Sequence, residues 1–139
     1  MKKIAIALLA TAVVSTACFA RGNDANLLTA CSYTDYFHIG RDSEVPVTIT
    51  SIKGDANIVA TQKDATSFEL SDTPTCPKNG GIATVRYTKD KTNYCDLAIH
   101  DAENFWGPEI KATCTGSLRF AGKDKDNWFG SDSYSLNFN

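Results

Sequence analysis

The sequence predicts an all-β fold, an antiparallel β-sandwich of seven to eight strands stapled by disulfides, with a small β-barrel as the alternative. From Thr29 onward, short runs rich in β-branched and aromatic residues alternate with turns of Gly, Asp, Asn and Pro, as in sandwiches and barrels. Within several runs, apolar and polar residues alternate with a period of two, which is typical of strands that bury one face. No stretch after residue 20 carries a comparable helical stripe.

Turn signals such as Lys53-Gly54-Asp55 and Lys89-Asp90-Lys91 separate the predicted strands. In chain order, we expect strands at Thr29–Phe37, Val45–Lys53, Asn57–Gln62, Ser67–Ser71, Ile82–Thr88, Asn93–His100, Glu109–Ala121 and Ser133–Phe138.

The last three predicted strands show the sharpest alternation, and we expect them to form a meander. Placing Cys95 opposite Cys114 puts both cysteines on one face of the first hairpin, within reach of a disulfide. In this register the other apolar pairs are Leu97 with Ala112 and Ile99 with Ile110. The second hairpin is expected to pair Phe120 with Tyr134 and Leu118 with Leu136, with Phe138 covering Gly116.

The cysteines indicate two disulfides formed in an oxidising compartment. Loss of a leader that contains Cys18 leaves an even number of cysteines, and their wide spacing argues against the close pairs of a zinc site. The hairpin register favours Cys95–Cys114, which leaves Cys31–Cys76 as the second bridge. The alternative is a pair of bridges between two stacked sheets, as in immunoglobulin-like folds.

The N-terminal twenty residues have the order of a bacterial secretory signal. Lys2 and Lys3 precede an apolar run, Ile4–Val14, which is followed by small residues up to Ala20. The run is shorter than the roughly 20 residues of a membrane-spanning helix. We therefore expect residues 1–20 to be cleaved and residues 21–139 to form a single β domain in the periplasm or outside the cell. A lipoprotein anchored at Cys18 is the alternative.

Charge excludes two classes of partner. The formal net charge is −2, and removal of Lys2 and Lys3 lowers it by two more, to −4. A nucleic-acid binder needs a stripe of basic residues. Capture by an anionic lipid surface also needs positive charge on the protein. We expect neither nucleic acid nor a membrane span among the interactions of this chain.

Few residues suggest catalysis, and we expect no enzyme and no cofactor. His38 lies near Asp35 and Asp42 in the sequence, either of which is a candidate aspartate of a Ser-His-Asp triad, but the sequence contains no G-x-S-x-G motif around a serine nucleophile. A small exported hydrolase that uses His38 or His100 is the alternative hypothesis.

One group of residues is a weak candidate for a metal site. Its members are His100, Asp101, Glu103 and Glu109, which the first hairpin brings to one end. An imidazole with carboxylates suits a divalent ion, but the spacing fixes no ligand geometry. A solvated loop rim explains the same residues, so we predict no metal.

The loop aromatics carry the leading functional hypothesis. They are Phe105 and Trp106 in one predicted loop and Trp128 and Phe129 in the next. Exposed aromatics on loops serve recognition, and buried ones cap a core. Because the predicted strand Glu109–Ala121 is about 40 Å long at about 3.3 Å per residue, we expect the two loops at opposite ends of the meander.

The sequence thus predicts a secreted or periplasmic, non-catalytic recognition module that binds a protein or carbohydrate ligand through its loops. A third hypothesis is an envelope structural subunit that assembles by strand pairing. In that case the C-terminal strand, Ser133–Asn139, is expected to lie at a sheet edge.

Overall fold

A computed structural model describes residues 34–73, 80–101, 107–126 and 132–139 of the chain. Period-two alternation in these ranges produces strands throughout. The strands are β1 (Thr34–Ile39), β2 (Thr48–Gly54), β3 (Ile58–Gln62), β4 (Phe68–Asp72), β5 (Gly81–Thr88), β6 (Tyr94–Asp101), β7 (Glu109–Cys114), β8 (Phe120–Lys125) and β9 (Asp132–Phe138).

The strands form two sheets, in the orders β3-β4-β1-β9-β8 and β2-β5-β6-β7. The sheets share one hydrophobic core, so the predicted sandwich is confirmed. Neither sheet closes on itself in the described residues, and the barrel alternative is not adopted. Among the nine described strands, all pairings are antiparallel except that of β1 with β9, which run parallel with Phe37 beside Tyr134.

Aromatic side chains fill the centre of the core. The Phe37 ring stacks on Phe68 at 4.7 Å and on Tyr134 at 5.3 Å between ring centroids. From the other sheet, Tyr87 contacts Phe68 and Phe138, and its hydroxyl donates to the Thr66 carbonyl at 2.9 Å. Offset and tilted contacts of this kind add to the area that the rings bury. These contacts between aromatic rings therefore hold the two sheets together.

The first hairpin forms in the predicted register. Cys95 lies opposite Cys114, with the expected apolar pairs Leu97–Ala112 and Ile99–Ile110. The Cys95–Cys114 disulfide is confirmed. Alternation excludes a slip of one residue, which would turn the apolar side chains to the opposite face, and the reach of a disulfide selects Cys95 opposite Cys114 among the remaining alignments.

The predicted strand Glu109–Ala121 is wrong, because the chain changes sheet between Cys114 and Phe120. Asn93 holds this crossing, since its Oδ1 accepts from the Ser117 backbone N–H at 2.7 Å and from the Ser117 hydroxyl at 3.1 Å. The alternation continues across the break because both flanking strands face the same core. One long predicted strand is thus two, and the described ranges hold nine strands where seven or eight were expected for the domain.

The predicted meander is therefore wrong as well. β6 and β7 belong to the four-stranded sheet, whereas β8 and β9 belong to the five-stranded sheet. Phe120 pairs with Phe138 and not with Tyr134, and the register shifts between Phe120 and Gly122. The observed partner of Phe120 lies four residues beyond the predicted one, a shift that keeps the same face inward, and the bulge moves the later pairs by one more position. Alternation alone predicts neither shift.

The expectation of a C-terminal edge strand is also wrong. β9 lies between β1 and β8 inside the five-stranded sheet. Its backbone groups are paired on both sides, so this strand offers no open edge for assembly.

The sandwich has two ends, which we name by a residue at each. The Thr34 end is where β1, β5, β7 and β9 begin and where β4, β6 and β8 end. The Cys95 end holds the disulfide and the crossing from β7 to β8. Thr34 pairs with Ser71 at the first of these ends. The predicted Cys31–Cys76 bridge lies outside the described residues and stays a prediction, as does the leader at residues 1–20.

Candidate functional site

The two connections that carry the loop aromatics are anchored at the same end of the sandwich. The first joins Asp101 to Gly107, and the second joins Asp126 to Asp132, all at the Thr34 end. Gly107 has φ +74°, and a Cβ there would overlap the Tyr134 hydroxyl. The base of one connection thus packs directly on β9, at the base of the other.

The expectation that these loops lie at opposite ends is wrong. The break in the predicted strand Glu109–Ala121 adds one reversal of chain direction, which returns the β8–β9 connection to the Thr34 end. The aromatic residues themselves, Phe105, Trp106, Trp128 and Phe129, lie outside the described residues.

Charged side chains surround Tyr134 at this end, and we name them the Tyr134 charge cluster: Asp35, Lys123, Lys125 and Asp132. Lys123 Nζ lies 5.0 Å and Lys125 Nζ 5.8 Å from the centroid of the buried Tyr134 ring. Lys125 forms an ion pair with Asp132, and Asp35 is fully buried. Burial lowers the pKa of Lys123, and the negative charge of Asp35 opposes this shift.

The sequence contained part of the signal for this cluster. Asp35 has the same parity as Phe37 and Ile39 in its strand, so alternation placed its carboxylate on the inner face. Lys123 and Lys125 lie beyond the end of the predicted strand Glu109–Ala121, whereas β8 extends to Lys125. Two ammonium groups and two carboxylates make the Tyr134 charge cluster polar but electrically balanced.

A second candidate site is a polar cleft on the outer face of the five-stranded sheet, which we name the His38 cleft. Its volume is about 590 Å³. Its lining comes from β1, β8, β9, the β1–β2 connection and the start of the β8–β9 connection: His38, Arg41, Asp42, Asp124, Lys125, Asp126 and Ser135. Neighbouring strands bring these residues together, since His38 and Asp124 both pair with Ser135 of β9.

Two carboxylates of the His38 cleft are held in place by neighbouring side chains. Asp126 Oδ2 accepts from the Ser133 hydroxyl at 2.8 Å and lies 3.5 Å from His38 Nε2. Asp124 Oδ2 accepts from Asn137 Nδ2 at 2.9 Å. These hydrogen bonds therefore orient the carboxylate of Asp124 on β8 and that of Asp126 directly after it.

The His38 cleft does not assemble the relay that a serine hydrolase needs. In such a relay, the histidine accepts a proton from the serine hydroxyl and is oriented by a carboxylate. Here the Ser133 hydroxyl donates to Asp126, and among the described residues nothing bonds to the buried His38 Nδ1. The hydrolase hypothesis thus gains no geometric support at His38.

The structure brings together two of the four weak metal candidates. His100 lies opposite Glu109, and both line a shallow pocket of about 140 Å³ with Ile82, Ala98 and Lys111. Lys111 Nζ lies 3.8 Å from Glu109 Oε1 and places a positive charge beside the carboxylate. Glu103 and the Asp101 side chain lie outside the described part of the chain, in which no three potential ligands cluster.

The fold and the disulfide define the class of protein: a disulfide-bonded, two-sheet β-sandwich. Comparison with protein-family models, curated proteins and solved structures found no match to this chain. Across the four described ranges, no helix has the length and hydropathy to cross a membrane. The disulfide is compatible with a periplasmic or extracellular location.

Proposed function

We propose that this protein is an exported, non-catalytic recognition module that binds a protein or a glycan through the Thr34 end of its sandwich. Phe105, Trp106, Trp128 and Phe129 supply the contacts. The observation that carries the proposal is the packing of Gly107 on Tyr134, which brings the bases of the two aromatic connections together.

Physical chemistry favours this end for recognition. Binding residues concentrate on connections that a rigid scaffold positions, and tryptophan is enriched among the residues that dominate binding energy. Two aromatic connections anchored at one end supply more contact area to one ligand than either supplies alone. The charges around Tyr134 add polar groups at the base of the same surface.

Tryptophan fluorescence tests the proposal directly, because Trp106 and Trp128 are the two tryptophans of the chain. We expect a saturable change in emission when the purified protein is titrated with a panel of soluble oligosaccharides and peptides. Replacing Trp106→Ala or Trp128→Ala should weaken the binding about 30-fold, since a central aromatic contact contributes about 2 kcal/mol.

Tyr94→Ala is the matched control, because it truncates an aromatic ring on the outer face at the Cys95 end, where Arg86 covers it. Its affinity should equal that of the unmodified protein. The proposal would be refuted if acrylamide quenched neither tryptophan and both tryptophan variants bound the ligand as the unmodified protein does. These results together would assign both tryptophan side chains to the core.

A further inference from the structure

We propose that the His38 cleft is a second binding site, which adjoins the β8–β9 connection at Asp126 but uses none of the loop aromatics, and that it takes a neutral carbohydrate residue through its hydroxyl groups. The proposal goes beyond recognition at the Thr34 end because it uses the outer face of the five-stranded sheet and names a ligand class.

Fixed hydrogen-bond acceptors are the first requirement, and Asp124 and Asp126 meet it. Asn137 and Ser133 each occupy one oxygen of these carboxylates. The other oxygen, Oδ1 of each carboxylate, accepts no hydrogen bond from the described residues. Acceptors that are oriented before the ligand arrives lose little conformational freedom on binding.

Asn137 is built into the sheet beneath the cleft. Its side chain is 8% exposed, and its Oδ1 has no hydrogen-bond partner among the described residues. A Cβ at position 40 would overlap that oxygen, so Gly40 makes room for the buried amide. Burying an incompletely bonded amide costs free energy. We infer that Asn137 serves to orient Asp124 towards a ligand.

Hydrogen-bond donors are the second requirement. Arg41 lines the cleft and supplies guanidinium donors, whereas Asp42 beside it supplies a further carboxylate acceptor; both are exposed and bonded to no other described side chain. The Ser135 hydroxyl adds a group that both donates and accepts. The cleft thus presents donors and acceptors side by side.

This mixture of groups selects among ligand classes. A simple anion would meet the carboxylates of Asp42, Asp124 and Asp126, and a simple cation would meet Arg41 and Lys125. Sugar hydroxyls donate and accept at once, so they match both kinds of group. The Tyr36 ring, which stacks on His38 at 5.7 Å between centroids, adds an apolar surface beside the cleft for the C–H face of a sugar ring.

The test is a titration followed by ¹H–¹⁵N NMR with the ¹⁵N-labelled protein, using glucose, galactose, mannose, N-acetylglucosamine and their disaccharides, with EDTA present. We expect at least one sugar to shift the amides of Arg41, Asp124 and Ser135. Asp124→Asn and Asp126→Asn should each weaken its binding at least about 10-fold, and Asn137→Ala should weaken it through loss of the orienting hydrogen bond.

Glu69→Gln is the matched control, because it removes one negative charge from β4 of the same sheet and lines no part of the cleft. Its affinity should not change. The double variant Trp106→Ala/Trp128→Ala should also bind the sugar normally, so failure of the proposed function and failure of this site are distinguishable. Shifts confined to Gly107 and Asp132, no shift with any sugar, or unchanged affinity in both aspartate variants would overturn the proposal.

Discussion

Asp64 and Asp90 stabilise two separate turns in the same way. One oxygen of Asp64 accepts from the backbone N–H groups of Thr66 and Ser67, at 2.7 and 2.8 Å. One oxygen of Asp90 likewise accepts from those of Thr92 and Asn93. A short carboxylate that bonds to the backbone two and three residues later is the physical reason that aspartate favours turns.

These hydrogen bonds predict a pH dependence of stability. Bonds from Ser67 and Thr66 lower the pKa of Asp64 from 3.8 to about 2, and bonds from Thr92 and Asn93 lower the pKa of Asp90 equally. Because a lowered pKa in the folded state favours folding only when the group is ionised, this contribution is complete above about pH 4. It disappears as the pH falls towards 2.

Thermal unfolding of Asp64→Asn and Asp90→Asn checks this prediction. The Tm of each variant should lie below that of the unmodified protein at pH 7, and the difference should shrink between pH 4 and pH 2. Asp42→Asn is the control, since no described group donates a hydrogen bond to Asp42. A Tm difference for Asp64→Asn that stays constant down to pH 2 would contradict the assignment.

At the scale of the element, the β6–β7 hairpin combines a paired register with a covalent bond. Cys95 is fully buried in the core, whereas Cys114 is partly exposed on the edge strand β7. Edge strands gain pairing from one side only, so the disulfide compensates for the missing neighbour.

Removing this bond should therefore destabilise the whole domain. The cysteines are 19 residues apart, and closing a loop of about 15 residues contributes about 3 kcal/mol by restricting the unfolded chain. We expect Cys95→Ala/Cys114→Ala to lose about 3 kcal/mol in urea unfolding. Thr113→Ala, which changes an exposed side chain of the same edge strand, should lose less than about 1 kcal/mol. Equal losses in the two variants would show that the disulfide adds nothing.

The hairpins also show what alternation predicts and what it leaves open. A period of two identifies the buried face of each strand, and matching two such faces with the cysteines opposite each other gave the correct Cys95–Cys114 register. Alternation does not report which sheet a strand joins. Leu118 is 1% exposed within the crossing between sheets, so the apolar row continued through a change of sheet and the sequence suggested one long strand.

At the scale of the whole molecule, the position of the candidate site depended on contacts between distant parts of the chain. The sequence predicted which connections carry the aromatic residues but placed them at opposite ends. The pairing of β1 with β9 and the division into two sheets bring together residues about 100 positions apart in the sequence. Local sequence patterns carry little information on pairings between such distant residues. The His38 cleft was missed for the same reason, although His38 itself was considered.

The proposed export makes a prediction for the intact protein. Mass spectrometry of the exported chain should give an N-terminus at Arg21. It should also give a mass about 4 units below that of the reduced chain, because two disulfides among four cysteines remove four hydrogens. Peptide mapping without reduction should join Cys31 to Cys76. A diacylglycerol on Cys18 or a free thiol at Cys31 would contradict these assignments.

The parallel pairing of the first and last strands makes the two termini of the sandwich inequivalent. β1 begins at the Thr34 end, whereas Asn139 follows β9 at the Cys95 end and exchanges hydrogen bonds with Arg119. A biotin or fusion partner joined after Asn139 would therefore present the aromatic connections outward from a sensor surface. The same label joined ahead of Thr34 would turn them towards the support.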